Sequence, residues 1–292
     1  MSRLISFDYA IKYLLKHKSD YDIIEGFISA LLQIKGYKPI KIKALLESES
    51  NKEDKKGKAS VADLVVGDEG GTKYIIEIER NEKLTFFNKA CFNTSRLVVD
   101  SISQSIDYSS IAKIFHVSIL YFQIGDSNSS LYHGKTILHD IDNENTKTAI
   151  HIEDQNGKQY DITDVMPEYF IISIPAFKDK IKRDIDEWVY MMKHEEIKSD
   201  FKASSIKKAA ERLTYLKMSE EERYEYDRFQ IQQIDYREEM NAAIIKSKAE
   251  GKIEGKIEGK IEIARKMLLK KLSIDEISEM TGLTIKEIKK LV

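Results

Sequence analysis

Cysteine is almost absent from this chain, since Cys91 is the only one in 292 residues. A single cysteine excludes an intramolecular disulfide framework, so a reducing cytoplasm is the expected location. The sequence also has no run of about 18 apolar residues, and its start leads into no signal-peptide core, so we expect no membrane partner. Cys91 lies in an apolar, helix-like segment, which favours a core position over a nucleophile.

Proline is also scarce, with three residues in the chain, while 33% of the residues are charged. This combination favours long solvated helices, above all from residue 178 to about residue 248, where glycine and proline are lacking. Trp188 in this region is interpreted as a helix-packing anchor. A hydrophobic fraction of 42% excludes a wholly disordered chain.

Recognisable metal and phosphate motifs are missing as well. The six histidines show no His-x₃-His or Cys-paired spacing, so a zinc site is not expected. The chain has no G-x-x-x-x-G-K-[ST] phosphate loop. A net charge of −2 gives no sign of a polyanionic partner, but it hides an uneven distribution. From Lys246 onward, 12 basic residues face eight acidic ones, a net charge of +4.

Hydrophobic periodicity predicts an α/β core followed by an α-helical C-terminal region. Two β-favouring runs, Val61 to Val66 and Thr72 to Glu79, flank a glycine-rich turn and predict a hairpin. The other predicted elements are helices within 7–34 and 86–106, buried strands at 113–124 and 169–174, and shorter strands near 131–138 and 148–152.

The C-terminal region holds a repeat and a two-helix pattern. The tetrapeptide E-G-K-I occurs three times from Glu250 to Ile261, and its glycines leave three alternatives open: a flexible spacer, a frayed helix, or a glycine-faced helix for self-association. Beyond it, Ser273 with Glu276 and Thr284 with Glu287 form two capping boxes. They predict a helix-turn-helix whose second helix could enter a DNA major groove, or a helical hairpin used for packing or dimerisation.

Three carboxylates on the hairpin are the candidates for chemistry: Asp63, Glu77 and Glu79. If Val66 pairs with Thr72, Asp63 lies opposite Ile75 and one diagonal step from Glu77, on the same face. Carboxylates this close together suit a divalent cation such as Mg²⁺. Alternatively, they are the solvated face of the hairpin, although Asp63 lies within a V-A-D-L-V-V run, where an unneeded charge is costly.

The ordered motifs resemble one branch of the PD-(D/E)xK nucleases, the Rpn-type recombination-promoting nucleases related to transposases. Asp63 followed by Ile75-Ile-Glu-Ile-Glu79 is similar to the D-Xn-(D/E)-x-K core, and Asp8-Tyr-Ala-Ile-Lys12 is similar to the D-x-x-F-K opening of this branch. Tyr169 to Pro175, the E-G-K-I repeat and the ending Leu272 to Leu283 also match. The resemblance implies a restriction-endonuclease-like core with a mixed sheet flanked by helices.

The resemblance also implies roles for individual residues. Asp63 and Glu77 would be metal ligands, with the Ile78 carbonyl as a third, for Mg²⁺ or Mn²⁺. Glu79 stands where the family has Lys or Gln, and an ionised glutamate cannot donate a proton. Lys89 is the first candidate to replace that cation. Arg80 and Lys12 follow as replacements and as DNA contacts, and Lys286, Lys289 and Lys290 would contact phosphates.

The sequence therefore predicts a metal-dependent DNA endonuclease that hydrolyses phosphodiesters with a metal-activated water, acting in recombination, transposition or defence against mobile DNA. The alternative is a catalytically degenerate DNA-binding or assembly protein, with a homo-oligomer formed through the C-terminal helices. The expected domains are a nuclease core at 1–177, a helical region at 178–248, a repeat spacer or helix at 249–265 and a helix-turn-helix-like tip at 266–292.

Overall fold

The computed structural model of the chain describes residues 4–7, 9–10, 21–46, 64–81, 85–102, 111–124, 128–142, 151–153, 159–161, 165–214 and 218–291. Two compact units, Met1–Arg223 and Tyr224–Val292, make up the chain. Lys12 and Asp63, both predicted site residues, lie outside the described residues.

A six-stranded mixed sheet forms the centre of the first unit, in the order β1-β2-β3-β4-β8-β5. The strands are β1 (Ile42–Leu45), β2 (Leu64–Asp68), β3 (Lys73–Glu79), β4 (Ile114–Leu120), β5 (Leu131–Gly134) and β8 (Glu168–Ser173). A separate two-stranded sheet pairs β6 (His151–Glu153) with β7 (Gln159–Asp161). Strands β3, β4 and β8 run parallel, whereas β1, β2 and β5 pair antiparallel with their neighbours.

Both units contain helices. They are α1 (Asp22–Gln33), α2 (Phe86–Ile102), α3 (Asp184–His194), α4 (Ile206–Arg212), α5 (Glu220–Leu269), α6 (Ile274–Thr281) and α7 (Ile285–Lys289). The mixed sheet, its helices and the helical C-terminal region confirm the predicted fold class.

Side chains of alternating residues divide the sheet into two buried faces. On one face, Val65, Ile75 and Ile114 form an apolar cluster against Leu97 and Val98 of α2. All seven residues of the central strand β4 are buried, including two polar ones. The face that carries this cluster also carries the candidate site.

An aromatic group packs α1 against α3 in the first unit. The fully buried Trp188 lies edge-on to Phe27, with ring centroids 6.0 Å apart, and to Phe7, 6.5 Å apart. Gly26 on α1 instead allows the segment before α4 to approach the helix, because a Cβ atom there would lie 2.5 Å from the Ser204 carbonyl oxygen. The interpretation of Trp188 as a helix-packing anchor is confirmed.

The structure corrects two predictions and adds one strand. Val66 pairs with Tyr74 and not with Thr72, because the turn is tighter: the Asp68 N–H bonds the Thr72 carbonyl and Gly71 adopts a positive φ of 84°. The shift of two residues leaves each side chain on its predicted face. Cys91 is exposed on α2, so the prediction of a core position is wrong. Strand β1 was not predicted, because its pairing with β2 comes from distant sequence.

The C-terminal unit contains most of the long helix α5 followed by the two short helices. The E-G-K-I repeat lies inside α5. Of the alternatives that the sequence leaves open for the repeat, the structure therefore shows a helix. Ser273 and Thr284 cap α6 and α7, and both predicted capping boxes are present. The apolar faces of α6 and α7 meet the end of α5 in a small core. It consists of Ala264, Ile277, Leu283 and Ile288. Among the described residues, no helix is long and apolar enough to cross a membrane.

Candidate active site

Strand β3 places Glu77 and Glu79 on the sheet face that α2 covers. Side chains two residues apart in a strand point the same way, and both carboxylates are buried, with 2% and 6% of their surface exposed. The alternative that they form the solvated face of the hairpin is therefore wrong. Two buried acids on one face require nearby positive charge or hydrogen-bond donors.

Helix α2 supplies these partners from its first two turns. Lys89 Nζ lies 2.6 Å from Glu79 Oε1 and 4.0 Å from Glu77 Oε2. Asn93, one turn later, donates its side-chain amide to Glu77 Oε1. Because residues four apart share one helix face, the spacing from Lys89 to Asn93 matches the spacing of the two carboxylates below them. The structure thus brings together three of the predicted residues, Glu77, Glu79 and Lys89.

Besides Asn93, the structure adds two further residues that the sequence analysis missed, Thr94 and His116. His116 is fully buried on β4, where it pairs with Ile75 of β3. Its Nδ1 lies 2.9 Å from Thr94 Oγ1, and its Nε2 lies 3.5 Å from Glu77 Oε2. A signal was available, because a histidine inside the apolar run Lys113 to Ile124 is unusual.

These neighbours determine the ionisation of Glu77. Burial opposes its ionisation, but the proximity of His116, the charge of Lys89 and the Asn93 amide together hold the pKa of Glu77 below its ordinary value of 4.5. Glu77 is therefore a carboxylate at neutral pH and is able to act as an oxygen ligand.

The remaining described residues of the predicted site are Arg80, Ile78 and the three C-terminal lysines. The Arg80 guanidinium, just beyond β3, lies 4.8 Å from the centre of the Tyr121 ring, and Ile78 is half-buried between the two acids. Lys286, Lys289 and Lys290 are exposed at α7 in the C-terminal unit. Among the described residues, no three His, Cys, Asp or Glu side chains are grouped as a ligand set for a metal ion.

Two family models match the chain. The PD-(D/E)XK nuclease family transposase matches residues 5–243, which is most of the chain. The protein belongs to this family. The C-terminal HTH domain of the Rpn/YhgA-like nuclease family matches residues 258–292. No curated protein and no solved structure matches the chain.

Family membership confirms the resemblance drawn from the motifs. Helices α6 and α7 lie within the residues that the C-terminal HTH domain matches. These assignments support a nuclease or DNA-binding role. The part played by each site residue is a proposal.

Proposed function

We propose that the protein is a metal-dependent DNA endonuclease that hydrolyses phosphodiesters at the β3–α2 site. The observation that carries the proposal is the buried pair Glu77 and Glu79, held on one face of β3 with the Lys89 ammonium 2.6 Å from the second acid. Burying two acids and a lysine costs folding free energy, and such clusters concentrate at functional sites.

The residues present suit a divalent cation. Glu77 offers Oε2, and the buried Nε2 of His116 has no hydrogen-bond partner among the described residues. Asp63 and the Ile78 carbonyl are the further ligands that the motif predicts. Bound Mg²⁺ or Mn²⁺ would supply Lewis-acid polarisation of the phosphate and would lower the pKa of a water molecule.

In this proposal Lys89 takes over the role of the Lys or Gln that the family carries on strand β3. Glu79 stands in that position here, and it is an acceptor when ionised. The ammonium of Lys89 lies beside the same acids, on α2, so in this arrangement the helix supplies the proton donor that the family places on the strand. Lys89 also orients Glu79.

The C-terminal unit would deliver DNA to such a nuclease. Lys286, Lys289 and Lys290 are exposed on and just beyond α7, the second helix of the helix-turn-helix. We propose that they contact phosphates, in a chain organised as domains 1–177, 178–248, 249–265 and 266–292. The family description names a transposase and supports a role in transposition, to which we add recombination as part of the proposal; the single cysteine favours a cytoplasmic location.

One observation favours a second candidate, a degenerate nuclease that only binds DNA. Glu79 departs from the Lys or Gln of the family, and its Oε1 is already bonded to Lys89. In that case the fold and the C-terminal helices would hold DNA or a second copy of the chain without cleaving it.

Plasmid cleavage separates the two candidates. We expect wild-type protein to nick supercoiled DNA with Mg²⁺ or Mn²⁺ and to stop when the metal is chelated. Asp63→Ala and Glu77→Ala should each lose at least about 100-fold in rate, because a metal ligand is removed. The matched control is Glu69→Ala, an exposed acid on the turn of the same hairpin. Cleavage that survives in Glu77→Ala would refute the assignment, and DNA binding without any cleavage would favour the degenerate form.

A further inference from the structure

The hydrogen-bond pattern of Thr94 determines the tautomer of His116. Thr94 Oγ1 lies 2.8 Å from the Ala90 carbonyl oxygen, which can only accept, so the single hydroxyl hydrogen is directed there. Thr94 Oγ1 is then an acceptor for His116 Nδ1, 2.9 Å away. Nδ1 must therefore carry a hydrogen, and a neutral His116 presents the lone pair of Nε2.

That lone pair faces the centre of the candidate site. Nε2 has no hydrogen-bond partner among the described residues, and His116 is fully buried. The nearest charged atom is Glu77 Oε2, 3.5 Å away, which is too far for a hydrogen bond and is also electron-rich. Two buried electron-rich atoms this close require a positive charge between them, either a proton on Nε2 or a metal cation.

We propose that His116 Nε2 and Glu77 Oε2 bind the same divalent cation, with His116 as its nitrogen ligand. The inference rests on the proposed metal-dependent function. Two neighbouring ligand atoms that each lie about 2.0–2.2 Å from a metal ion are roughly 3.0–3.5 Å from each other. The distance between His116 Nε2 and Glu77 Oε2 matches this range.

The nitrogen ligand makes the site selective. Mg²⁺ prefers an all-oxygen shell that retains several waters, whereas imidazole suits Mn²⁺, Co²⁺ and Zn²⁺ better along the usual order of affinities. Thr94 would orient the ring by accepting the Nδ1 hydrogen, as hydrogen-bond partners of histidine ligands commonly do, and such partners contribute about 10–100-fold in metal affinity. We therefore expect this protein to bind Mn²⁺ more tightly than Mg²⁺.

Pulsed electron paramagnetic resonance on the Mn²⁺-loaded full-length protein tests the inference directly. The wild-type spectrum should show coupling of Mn²⁺ to a histidine nitrogen, and His116→Gln should lose it, with Mn²⁺ affinity by calorimetry about 10–100-fold weaker. Thr94→Val leaves the imidazole in place and should weaken Mn²⁺ binding to a similar extent. His133→Gln, which removes another partly buried histidine of the same sheet, should keep both affinity and coupling.

Several results would overturn the inference. Mn²⁺ bound by wild-type protein without nitrogen coupling would overturn it even if His116→Gln failed to fold, and so would coupling retained in a folded His116→Gln variant. The proposed function fails separately. Metal-dependent cleavage without nitrogen coupling would support the nuclease and reject His116 as a ligand. Nitrogen coupling without cleavage would support His116 as a ligand and reject the nuclease.

Discussion

The ammonium nitrogen of Lys89 lies 2.6 Å from Glu79 Oε1, so a helix and a strand share one charge pair at the candidate site. Glu79 is almost fully buried, and 25% of the Lys89 side chain is exposed. The motif that the sequence resembles has Lys or Gln at the Glu79 position, and in this structure an ammonium group reaches Glu79 from α2. Whether Lys89 compensates for the Lys or Gln that is missing at position 79 therefore depends on this ion pair.

A charge swap tests the compensation. Glu79→Lys alone should reduce cleavage at least about 10-fold, because two ammonium groups would meet within the site. Glu79→Lys combined with Lys89→Glu restores one charge of each sign and should recover activity in a double-mutant cycle. Cleavage rates on plasmid DNA are the measurement, with Glu69→Lys and Lys35→Glu, both at exposed positions, as the net-charge controls for the two single variants. Higher activity in Glu79→Lys alone would show that the natural glutamate is a handicap.

Acid should weaken the first unit through Glu168. This buried carboxylate accepts hydrogen bonds from Tyr37 at 2.7 Å, Lys113 at 2.9 Å and His133 at 2.7 Å. Although burial raises its pKa, these partners hold the pKa of Glu168 below the ordinary value of 4.5. A depressed pKa stabilises the folded state above the unfolded pKa, and this contribution is lost as the pH falls through the folded value.

We therefore expect Glu168→Gln to lower the free energy of unfolding by about 1–3 kcal/mol at pH 7. The difference from wild type should shrink below pH 4.5, where the wild-type carboxylate gains its proton. Urea unfolding at several pH values measures both quantities, and Glu69→Gln on an exposed turn is the control. A difference that is constant with pH would show that Glu168 acts through packing alone.

The glycines of the E-G-K-I repeat separate a passive helix from a self-association face. A Cβ added at Gly251, Gly255 or Gly259 would meet no atom within 4 Å, so alanine fits at each. Alanine should stabilise α5 by about 1 kcal/mol per site, and the triple variant should unfold at higher temperature by circular dichroism. In contrast, Gly282→Ala should destabilise the helix-turn-helix, because Gly282 has a φ of 67°.

Sedimentation of the same triple variant tests the self-association alternative. If two copies pack through the glycine face, added methyl groups hold the helices apart and the oligomer dissociates. An unchanged oligomeric state together with a raised melting temperature would make these glycines dispensable for assembly.

The three lysines at α7 should contribute to DNA binding without reading its sequence. Replacing Lys286, Lys289 and Lys290 with alanine should weaken binding uniformly across DNA sequences and reduce the slope of log K against log salt by up to about 3. Fluorescence anisotropy at several salt concentrations measures the slope. The matched control removes three exposed lysines of the first unit, Lys35, Lys43 and Lys207. Equal slopes for both triple variants would contradict the proposed contacts.

Local patterns were sufficient to predict much of this protein. Alternation around the glycine turn predicted the β2–β3 hairpin with both acids on one face, and the capping boxes at Ser273 and Thr284 predicted the last two helices. The order of the motifs predicted the family. Each of these signals depends on residues close together in sequence, where backbone geometry alone relates the side chains.

Contacts between distant elements were decided by the tertiary structure alone. The pairing of Lys89 with Glu79 requires the packing of α2 on β3, and the position of His116 beside Glu77 requires the parallel pairing of β3 with β4. Histidine spacing along the chain could not reveal that neighbour, because the two residues are brought together across strands. The single cysteine of the sequence excluded an intramolecular disulfide framework, whereas long-range packing selected the atoms that meet at the site.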